Sequence, residues 1–535
     1  MTGRRFLDTR GQITVYLALI FLVMTGVAFC IIEGVREYGV GALSQDAVKT
    51  AGENVMANYD RTLWKEYHLF FLDPRERDYI EADGRKDINR YFHKSSFYTM
   101  KVSSLKVTKE KTAVDEDGLY LKHQIREWMK YQQGTKTESD VLIRKLLQSL
   151  RQVGQKTPGC REEILEESQK EDEAAMEKDG DENAQKEDGA NRKKDGDGNV
   201  QKEAEKEERG LKERLTWKKI QETLQLIMKT GVLYYAVDDP GSLSRNRIQD
   251  GHLPSETKGY RCSEAEKGLK ISEISFSKLR NFSSLFGLGN GKMNRNFPAK
   301  ESYLLEYMEQ YFQNYCEKTP GKDTVLDYEI EYILGGHPSD LENVKEIAER
   351  ILWIRFLTNY IFAGSNAELQ KQIQVMAAMV AGTMGMPQMI RPVEMLLTGA
   401  ISYGESLLEL HALFSGKSIS LIKTSDSWNL TFETAIQKLN SKSNVKKGKW
   451  NVCYEDFLKF FLLCQRDSTE LCYRMMDLMQ ENVALKEAGF LMENSLFSFQ
   501  WSGTVSSAKW YSALPSFGIH SAKNMKISFL RQSSY

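Results

Sequence analysis

The chain has 535 residues, of which 41% are hydrophobic and 27% are charged, so a folded core is expected. Its 73 Lys and Arg residues balance 74 Asp and Glu residues, and the overall charge therefore gives no indication of nucleic-acid binding. The 10 Pro and 20 Met residues favour long helices over an all-β sandwich. The seven Cys residues include no CxxC pair, which argues against a zinc knuckle or a thioredoxin-like motif.

An uncharged apolar segment lies close to the N-terminus. Residues 11–32 contain no charged side chain, and a helix needs about 20 apolar residues to cross the ~30 Å of hydrocarbon in a bilayer. A cleaved signal peptide is the main alternative, but its apolar core usually has ~7–15 residues and ends in small residues. This core is longer, and Glu33 follows it directly. We therefore predict a transmembrane helix over residues 12–32 that lies in the lipid bilayer.

The charges beside this segment predict its orientation. Arg4, Arg5 and Arg10 precede the span, and only Asp8 opposes them. Positively charged flanks are retained on the cytoplasmic side of a membrane. We therefore expect a single-pass protein of the cell membrane, with a cytoplasmic tail at 1–11 and an extracellular C-terminal domain.

The apolar pattern continues beyond the span. No Pro occurs between Met1 and Pro74, and apolar residues recur every three or four positions on one helical face. This pattern predicts a continuous helix from Gln12 to about Tyr67, in which residues 33–67 form a stalk. The stripe must pack against the chain's own domain, which we favour, or against a partner helix. It consists of Val40, Leu43, Ala47, Ala51, Val55 and Tyr59.

The first part of the predicted extracellular domain, residues 68–160, has mixed α and β patterns. The run from Tyr67 to Leu72 predicts a strand or a buried turn, Phe97–Val107 alternates as a strand does, and Leu119–Val153 has helical periodicity. Residues 161–214 are dominated by Glu, Lys, Asp, Gly and Gln. They cannot bury enough apolar surface to offset the entropy of ordering, which predicts a disordered charged insertion.

Residues 215–535 form the main part of the predicted domain. The C-terminal stretch alternates over Leu496–Trp501 and again over Met525–Leu530, as strands do. The predicted fold class is α+β and mainly helical. Ser339 and Glu342 are expected to form a capping box at the start of a helix. Helices are predicted over Trp217–Thr230, Tyr303–Tyr315, Asp340–Ile361, Asn366–Met384, Val393–Phe414, Tyr454–Leu463 and Ser468–Asn482.

Several stretches resemble known proteins. The sequence RGQITVYLAL at 10–19 resembles the N-terminus of TadE/TadG-like proteins of the tight-adherence (Tad, Flp-type) pilus loci. The ordered chain as a whole is similar to an uncharacterised Gram-positive membrane-protein family found with such loci. The resemblance implies a role in pilus assembly, with pilin-like or Tad-locus membrane proteins as partners. The matching stretches are ENVMANYD (53–60), LWKEYHLFFLD (63–73), YEIEYILGGHPSD (328–340), IRFLTN (354–359), the region 404–417 with Lys423 and Trp428, and YEDFL (454–458).

Arg10-Gly11 resembles a prepilin cleavage site, which makes Gly11 a candidate processing residue. Classical type IV prepilins have a Glu five residues after that Gly, where it meets the N-terminus of a neighbouring subunit inside the membrane. This chain has Tyr16 at that position, and Tyr suits the membrane interface without a partner. We therefore predict that the mature protein keeps Met1–Gly11 and acts as a fixed anchor, not as a repeating subunit of a fibre.

The sequence contains no established catalytic pattern. HExxH, GxSxG and Walker motifs are absent, and no two of the seven His residues share a helix face at ligand spacing, so neither a metal nor a cofactor is predicted. Glu329 and Glu331 would share one face of a strand and could divide acid and base roles between them. A salt-bridge network with Arg355 or a nearby Lys is the favoured alternative. The candidate polar cluster, functional or structural, is Glu329, Glu331, Asp340, Arg355 and Glu405.

Two functions of different classes follow from these features. The favoured hypothesis is a non-enzymatic, membrane-anchored component of a Tad-like pilus or surface-secretion assembly, with a scaffold, minor pseudopilin or adhesion role. The alternative is a membrane-anchored ectodomain enzyme that acts on a cell-envelope polymer. An enzyme should have a concave site with convergent polar groups, whereas a scaffold should have an exposed apolar patch. A ligand-binding sensor is disfavoured because residues 1–11 leave no cytoplasmic output domain.

Overall fold

The computed structural model describes residues 9–93, 98–132, 231–249, 251–261, 302–384, 387–432, 434–442, 444–448, 451–465, 468–508 and 524–535. These residues belong to two compact units. Unit 1 takes its residues from Met1–Trp128, His252–Pro254 and Met479–Tyr535, and unit 2 takes its residues from Met129–Gly251 and Ser255–Leu478. The predicted disordered insertion at 161–214 and the predicted helix at 217–230 lie outside the described residues.

The described part of the chain is mainly helical with a small amount of sheet, which confirms the coarse fold class. In chain order the helices are α1 (Thr9–Met56), α2 (Arg61–Tyr67), α3 (Ile80–His93), α4 (Leu119–Gln132), α5 (Val232–Ala236), α6 (Pro254–Lys258), α7 (Ser302–Tyr311), α8 (Glu329–Gly335), α9 (Asp340–Ser365), α10 (Ala367–Met384), α11 (Ile390–Phe414), α12 (Ala435–Asn440), α13 (Tyr454–Cys464) and α14 (Ser468–Ala484). The strands are β1 (Met100–Thr112), β2 (Ile419–Ser420), β3 (Asn451–Val452), β4 (Leu496–Ala508) and β5 (Asn524–Ser534). Short 3₁₀ turns cover Pro74–Tyr79, Glu116–Gly118, Pro240–Ser242, Pro387–Met389 and Met492–Asn494.

Helix α1 changes its surroundings along its length. Every side chain from Ile13 to Met24 is exposed although the segment is apolar, and no charged residue occurs between Arg10 and Glu33. Among the described residues, α1 alone is long and apolar enough to cross a membrane, a test that a signal sequence also passes. From Arg36 onward one face of the same helix is buried. The first half therefore needs an apolar environment that the described chain does not provide.

The second half of α1 packs in unit 1 on a three-stranded antiparallel sheet with the order β1-β4-β5. Helix α1 packs against β5 and α3, and α3 packs against β1. Trp501 of the central strand is fully buried in this layer. Gly84 of α3 permits the close packing, because a Cβ at that position would lie 2.5 Å from the Trp501 ring. At the start of the packed half, Arg36 donates to Ser507 Oγ at 3.1 Å.

The apolar stripe of α1 confirms the prediction of packing against the chain's own domain. Its residues Val40, Ala47, Ala51 and Val55 are buried, and the last three belong to the apolar core that contains Trp501.

The helix does not continue to Tyr67 as predicted, but ends at Met56. Asp60 begins a new helix. Its backbone is extended, and its side chain accepts a hydrogen bond from Leu63 N at 2.7 Å, which caps α2. The stretch after α2 is a largely buried turn, in which Leu72 forms isolated bridges with Tyr59 and with Leu496.

Helices α9, α10 and α11 pack against one another in unit 2, and α5 packs against α9 and α11. Residues 404–414 of α11 are buried on every side, which is the pattern of a central helix. The helices predicted between Tyr303 and Asn482 are all observed, with ends shifted by a few residues. The capping box is the exception: Ser339 precedes α9, but its side chain makes no capping bond. Asn343 Nδ2 donates to the Ser339 carbonyl instead, at 3.0 Å.

Candidate functional site

Helix α11 brings two carboxylates into the interior of unit 2. Glu405 and Glu409 lie in the fully buried stretch 404–414. Residues four apart on a helix share a face. A buried carboxylate is stable only when hydrogen bonds or opposite charges compensate it, so this face of α11 requires polar partners.

Arg355 of α9 is the principal partner of Glu409. Its Nε donates to Glu409 Oε2 at 2.8 Å and its Nη2 donates to Oε1 at 2.9 Å, which is the two-pronged geometry that suits a guanidinium and a carboxylate. The same guanidinium donates to the backbone carbonyls of Ser420 at 3.1 Å and Leu421 at 3.2 Å. Arg355 therefore joins α9, α11 and the segment that contains β2.

Lys423 links the two carboxylates of α11. Its Nζ lies 2.5 Å from Glu405 Oε1 and 2.8 Å from Glu409 Oε1. Glu405 also accepts hydrogen bonds from the backbone nitrogens of Asn429 at 3.2 Å and Leu430 at 3.0 Å. Glu405 thereby fixes the loop that follows Lys423 to the central helix.

These contacts define the buried ion network, which consists of Arg355, Glu405, Glu409 and Lys423. Their side chains are at most 1% exposed. Burial alone would raise the pKa of Glu409, but the charges and hydrogen bonds of Arg355 and Lys423 hold that pKa below its usual range. Cations and carboxylates balance in number, so the network is formally neutral, and its hydrogen bonds hold helices and loops together.

Glu329 and Glu331 lie in the first turn of α8, and not on a strand. Residues two apart on a helix do not face each other, so the two carboxylates do not form an acid–base pair across one surface. Glu329 Oε2 accepts from the backbone nitrogen of Gln313 at 2.9 Å and lies 3.3 Å from Lys322 Nζ. The nearby lysine that we expected as a partner is therefore present for Glu329.

Glu331 is surrounded by tyrosines. Its Oε1 accepts hydrogen bonds from Tyr315 N at 2.9 Å and from the Tyr454 hydroxyl at 2.8 Å. Its Oε2 is buried and has no hydrogen-bond partner among the described residues. Burial raises the pKa of Glu331 to about 7, although the bonds from Tyr315 and Tyr454 act in the opposite direction. Glu331 therefore carries a proton in much of the population at neutral pH.

Asp340 is the first residue of α9 and holds two other segments to it. Its Oδ2 accepts from Ser244 Oγ at 2.6 Å and from Asp327 N at 2.9 Å, and its Oδ1 accepts from Tyr328 N at 3.2 Å. Burial raises the pKa of Asp340, and these hydrogen bonds partly offset the increase. The contacts connect the residues before α8 to the N-terminus of α9.

The candidate cluster predicted from the sequence therefore divides into two groups. One group belongs to the buried ion network, and the other fixes the N-terminal ends of α8 and α9. The first contains Arg355 and Glu405, and the second contains Glu329, Glu331 and Asp340. Gly11 lies near the start of α1, and its cleavage stays a prediction.

The candidate polar cluster omitted Glu409, Lys423 and Tyr454, although all three lie in the stretches that carry the family resemblance. A signal for Glu409 was present, because Glu405 and Glu409 are charged residues one turn apart in a mostly apolar part of the helix. Apart from the resemblance, the local sequence around Lys423 and Tyr454 does not indicate their roles, since their partners are distant in sequence and only the fold brings them together.

Unit 1 contains an open cleft of about 660 Å³. Its walls come from the end of α1, from α4 and from β5, and Tyr59, Phe70 and Tyr535 give it an aromatic side. Lys49 and Glu53 at its edge are exposed and lie 3.9 Å apart, so they compensate each other. The other polar residues that line it are Lys49, Glu53, His123, Gln124, Glu127, Arg531, Gln532, Ser533 and Ser534.

Comparison with known families identifies the family to which the chain belongs. The profile of a family of unknown function, DUF5702, matches residues 210–507. The chain belongs to this family. No curated protein and no solved structure matches this chain. The comparisons show no relationship to TadE/TadG-like proteins.

The DUF5702 match contains the buried ion network and the whole predicted cluster. Helix α1 and strand β1, which build much of the core of unit 1, lie outside the matched residues.

Proposed function

We propose that the protein is a non-enzymatic, membrane-anchored component of a Tad-like pilus or surface-secretion assembly. The first half of α1 lies in the bilayer, the N-terminus is cytoplasmic, and the two units are extracellular. The protein acts as a scaffold, minor pseudopilin or adhesion component next to pilin-like membrane proteins.

The observation that supports this proposal most strongly is the continuity of α1. One helix of 48 residues contains both the exposed apolar segment and the face that packs on the sheet of unit 1. A helix without a break transmits position and force from the membrane to the folded unit, whereas a flexible linker does not. Such a rigid connection suits a structural component, because a tethered enzyme gains nothing from it.

Two further observations favour a scaffold. The carboxylates that could have served in catalysis are buried in structural contacts, as the buried ion network illustrates. In addition, α1 keeps large apolar side chains exposed just beyond the uncharged span: Val35 is 67% exposed and Tyr38 is 81% exposed. Exposed apolar residues at this position fit a membrane-proximal contact with another helix.

A flexible insertion tests the proposal. Inserting Gly-Gly-Ser-Gly after Ile32 interrupts α1 between its two halves. The insertion preserves the ion pair of Glu33 with Arg36 and leaves the core of unit 1 unchanged. The matched control places the same insertion after Gly189, in the charged segment. We expect both proteins to reach the membrane at wild-type levels. Only the insertion after Ile32 should abolish pilus formation or surface secretion in native cells.

The enzyme alternative predicts another result. A tethered catalytic unit tolerates a longer tether, so full function of the variant with the insertion after Ile32 would contradict the scaffold proposal. In that case the cleft of unit 1 becomes the first place to test for activity, with Glu53→Gln and His123→Ala variants and turnover of envelope polymer as the readout.

A further inference from the structure

Carboxylates meet in unit 1 at the place where α1 ends. Asp60 precedes α2, Asp73 precedes the 3₁₀ turn at Pro74, and Glu487 follows α14. One oxygen from each of these three residues lies within 4.8 Å of the other two. Oxygens on opposite sides of one Ca²⁺ ion are about 4.8 Å apart, because each Ca–O distance is about 2.4 Å. The three carboxylate oxygens are therefore close enough together to bind one such ion.

Asp60 provides a second, independent indication of a ligand. The residue is 0% exposed. Its Oδ1 accepts the capping hydrogen bond from Leu63 N, whereas its Oδ2 is buried and has no hydrogen-bond partner among the described residues. A buried carboxylate oxygen without a partner is strongly unfavourable. Burial raises the pKa of Asp60, and the charges of Glu487 and Asp73 add to the increase, as expected for carboxylates that face each other.

Arg75 compensates only the outer part of this cluster. Its Nε donates to Asp73 Oδ1 at 2.8 Å, and its Nη2 lies 2.8 Å from Glu487 Oε2. The Arg75 side chain is 69% exposed, so it approaches from solvent. Its ion pairs within the described chain do not include Asp60. One guanidinium beside three carboxylates leaves an excess of negative charge at the buried end.

We propose that Asp60, Asp73 and Glu487 form a binding site for Ca²⁺, and that Arg75 moves toward solvent when the ion binds. The site offers only oxygen ligands, which hard cations prefer, and carboxylates that can coordinate through one or both oxygens. The Thr62 hydroxyl, which donates to Glu487, and water supply further oxygens. Ca²⁺ accepts six to eight such ligands in flexible geometry, whereas Mg²⁺ requires a nearly ideal octahedron.

Ion binding would hold the C-terminal end of α1 in place. Asp73 N donates to the Asn58 carbonyl at 3.1 Å, in the short connection between α1 and α2. An ion on Asp60 and Asp73 therefore closes this connection, and Glu487 ties it to the chain that leads into β4. If the unit is extracellular, as proposed above, the site is in the compartment where low-affinity calcium sites are occupied.

The test uses the full-length protein in detergent after treatment with a chelator. Binding of ⁴⁵Ca²⁺ is measured by equilibrium dialysis, and thermal unfolding is measured with CaCl₂ or MgCl₂. Asp60→Asn removes the charge but keeps the helix cap, since Asn caps as well as Asp. The matched control is Asp78→Asn, an exposed acid in the neighbouring turn. We expect CaCl₂, and not MgCl₂, to raise the unfolding temperature of wild type and of the Asp78 variant. Asp60→Asn should lose this increase and bind Ca²⁺ about tenfold more weakly or worse.

Two more variants make the result decisive. Glu487→Gln replaces Asp60→Asn if the latter does not fold, and the same loss is expected. Arg75→Gln removes the competing cation and should bind Ca²⁺ more tightly than wild type. Equal ⁴⁵Ca²⁺ binding by wild type and Asp60→Asn would overturn the proposal. So would an Arg75→Gln variant that is destabilised and not restored by CaCl₂, because Arg75 would then be the permanent counter-ion. Neither readout depends on pilus assembly, so this test stands apart from the test of the proposed function.

Discussion

Replacement of Glu331 by Gln should change the pH dependence of the stability of unit 2. Gln keeps a carbonyl oxygen that can accept the hydrogen bonds from Tyr315 N and the Tyr454 hydroxyl. It cannot ionise. Wild type, in contrast, must place a negative charge at a fully buried position when Glu331 loses its proton.

The magnitude follows from the pKa. Burial raises the pKa of Glu331 from 4.5 to about 7 in the folded state. The folded state thus keeps the proton in a pH range where the unfolded chain has lost it. The contribution of protonated Glu331 to stability is complete below pH 4.5 and is lost as the pH rises through about 7. This increase in the pKa corresponds to about 3 kcal/mol of free energy. At alkaline pH, the free energy of unfolding of Glu331→Gln should therefore exceed that of wild type by about this amount.

Urea unfolding followed by pulse proteolysis measures this difference on the full-length protein at pH 4.5 and pH 8.5. We expect equal midpoints for wild type and Glu331→Gln at the lower pH. At the higher pH, the variant midpoint should be higher by about 1 M urea, for a urea slope of about 3 kcal/mol per M. Glu342→Gln, an exposed site on α9, is the control and should follow wild type. Parallel pH profiles for wild type and Glu331→Gln, or a less stable variant at pH 8.5, would refute the reasoning.

Four further predictions concern stability. Arg355→Met should destabilise the protein by about 3–5 kcal/mol because Glu409 loses its two-pronged partner, and the added Glu409→Leu change should restore much of this loss in the same urea assay. Gly84→Ala should cost about 1–3 kcal/mol, since the new Cβ would lie 2.5 Å from the Trp501 ring. Gly41→Ala, whose Cβ meets only Ile527 at 4.0 Å, should instead stabilise by up to about 1 kcal/mol. Deletion of residues 167–208 should leave the melting temperature within about 2 °C of wild type if the segment is disordered, because shortening a loop changes its closure entropy little.

Local patterns predicted much of the secondary structure. The ends of several helices were predicted within a few residues, because the helical spacing of apolar residues can be read from one continuous stretch of sequence. These helices are α9, α10, α11, α13 and α14. The break of α1 at Met56 was not foreseen. It depends on Asp60, which caps a new helix, and on backbone bonds from Asp60 and Asp73 to Phe71 and Asn58. A turn of this kind depends on hydrogen bonds between particular residues, which the periodicity of apolar residues does not reveal.

The organisation of the units depends on contacts between distant residues. Strand β1 pairs with β4, so that Lys101 lies opposite Ser506. Both strands were predicted, but their alternation carries no information about the partner of each strand. The stretches 68–160 and 215–535 were predicted to be parts of one domain. The sequence did not indicate that unit 1 would combine the N-terminal and C-terminal parts of the chain.

The candidate cluster was predicted in composition but not in arrangement. Arg355 or a nearby lysine was expected to pair with Glu329 and Glu331. Lys322 lies beside Glu329, whereas Arg355 binds Glu409. The difference arises because Glu329 and Glu331 begin a short helix, whereas Glu409 lies on the central helix beside α9. A charged residue in an apolar helix signals a buried partner, but only the packing of α9 on α11 identifies which one.

Limited proteolysis of intact protoplasts tests the central claim most directly. If the first half of α1 spans the membrane with its N-terminus inside, trypsin added from outside should cut within residues 161–214. It should leave an N-terminal fragment in the membrane. Protection of this segment until the cells are lysed would place the folded units in the cytoplasm and contradict the proposed role at the cell surface.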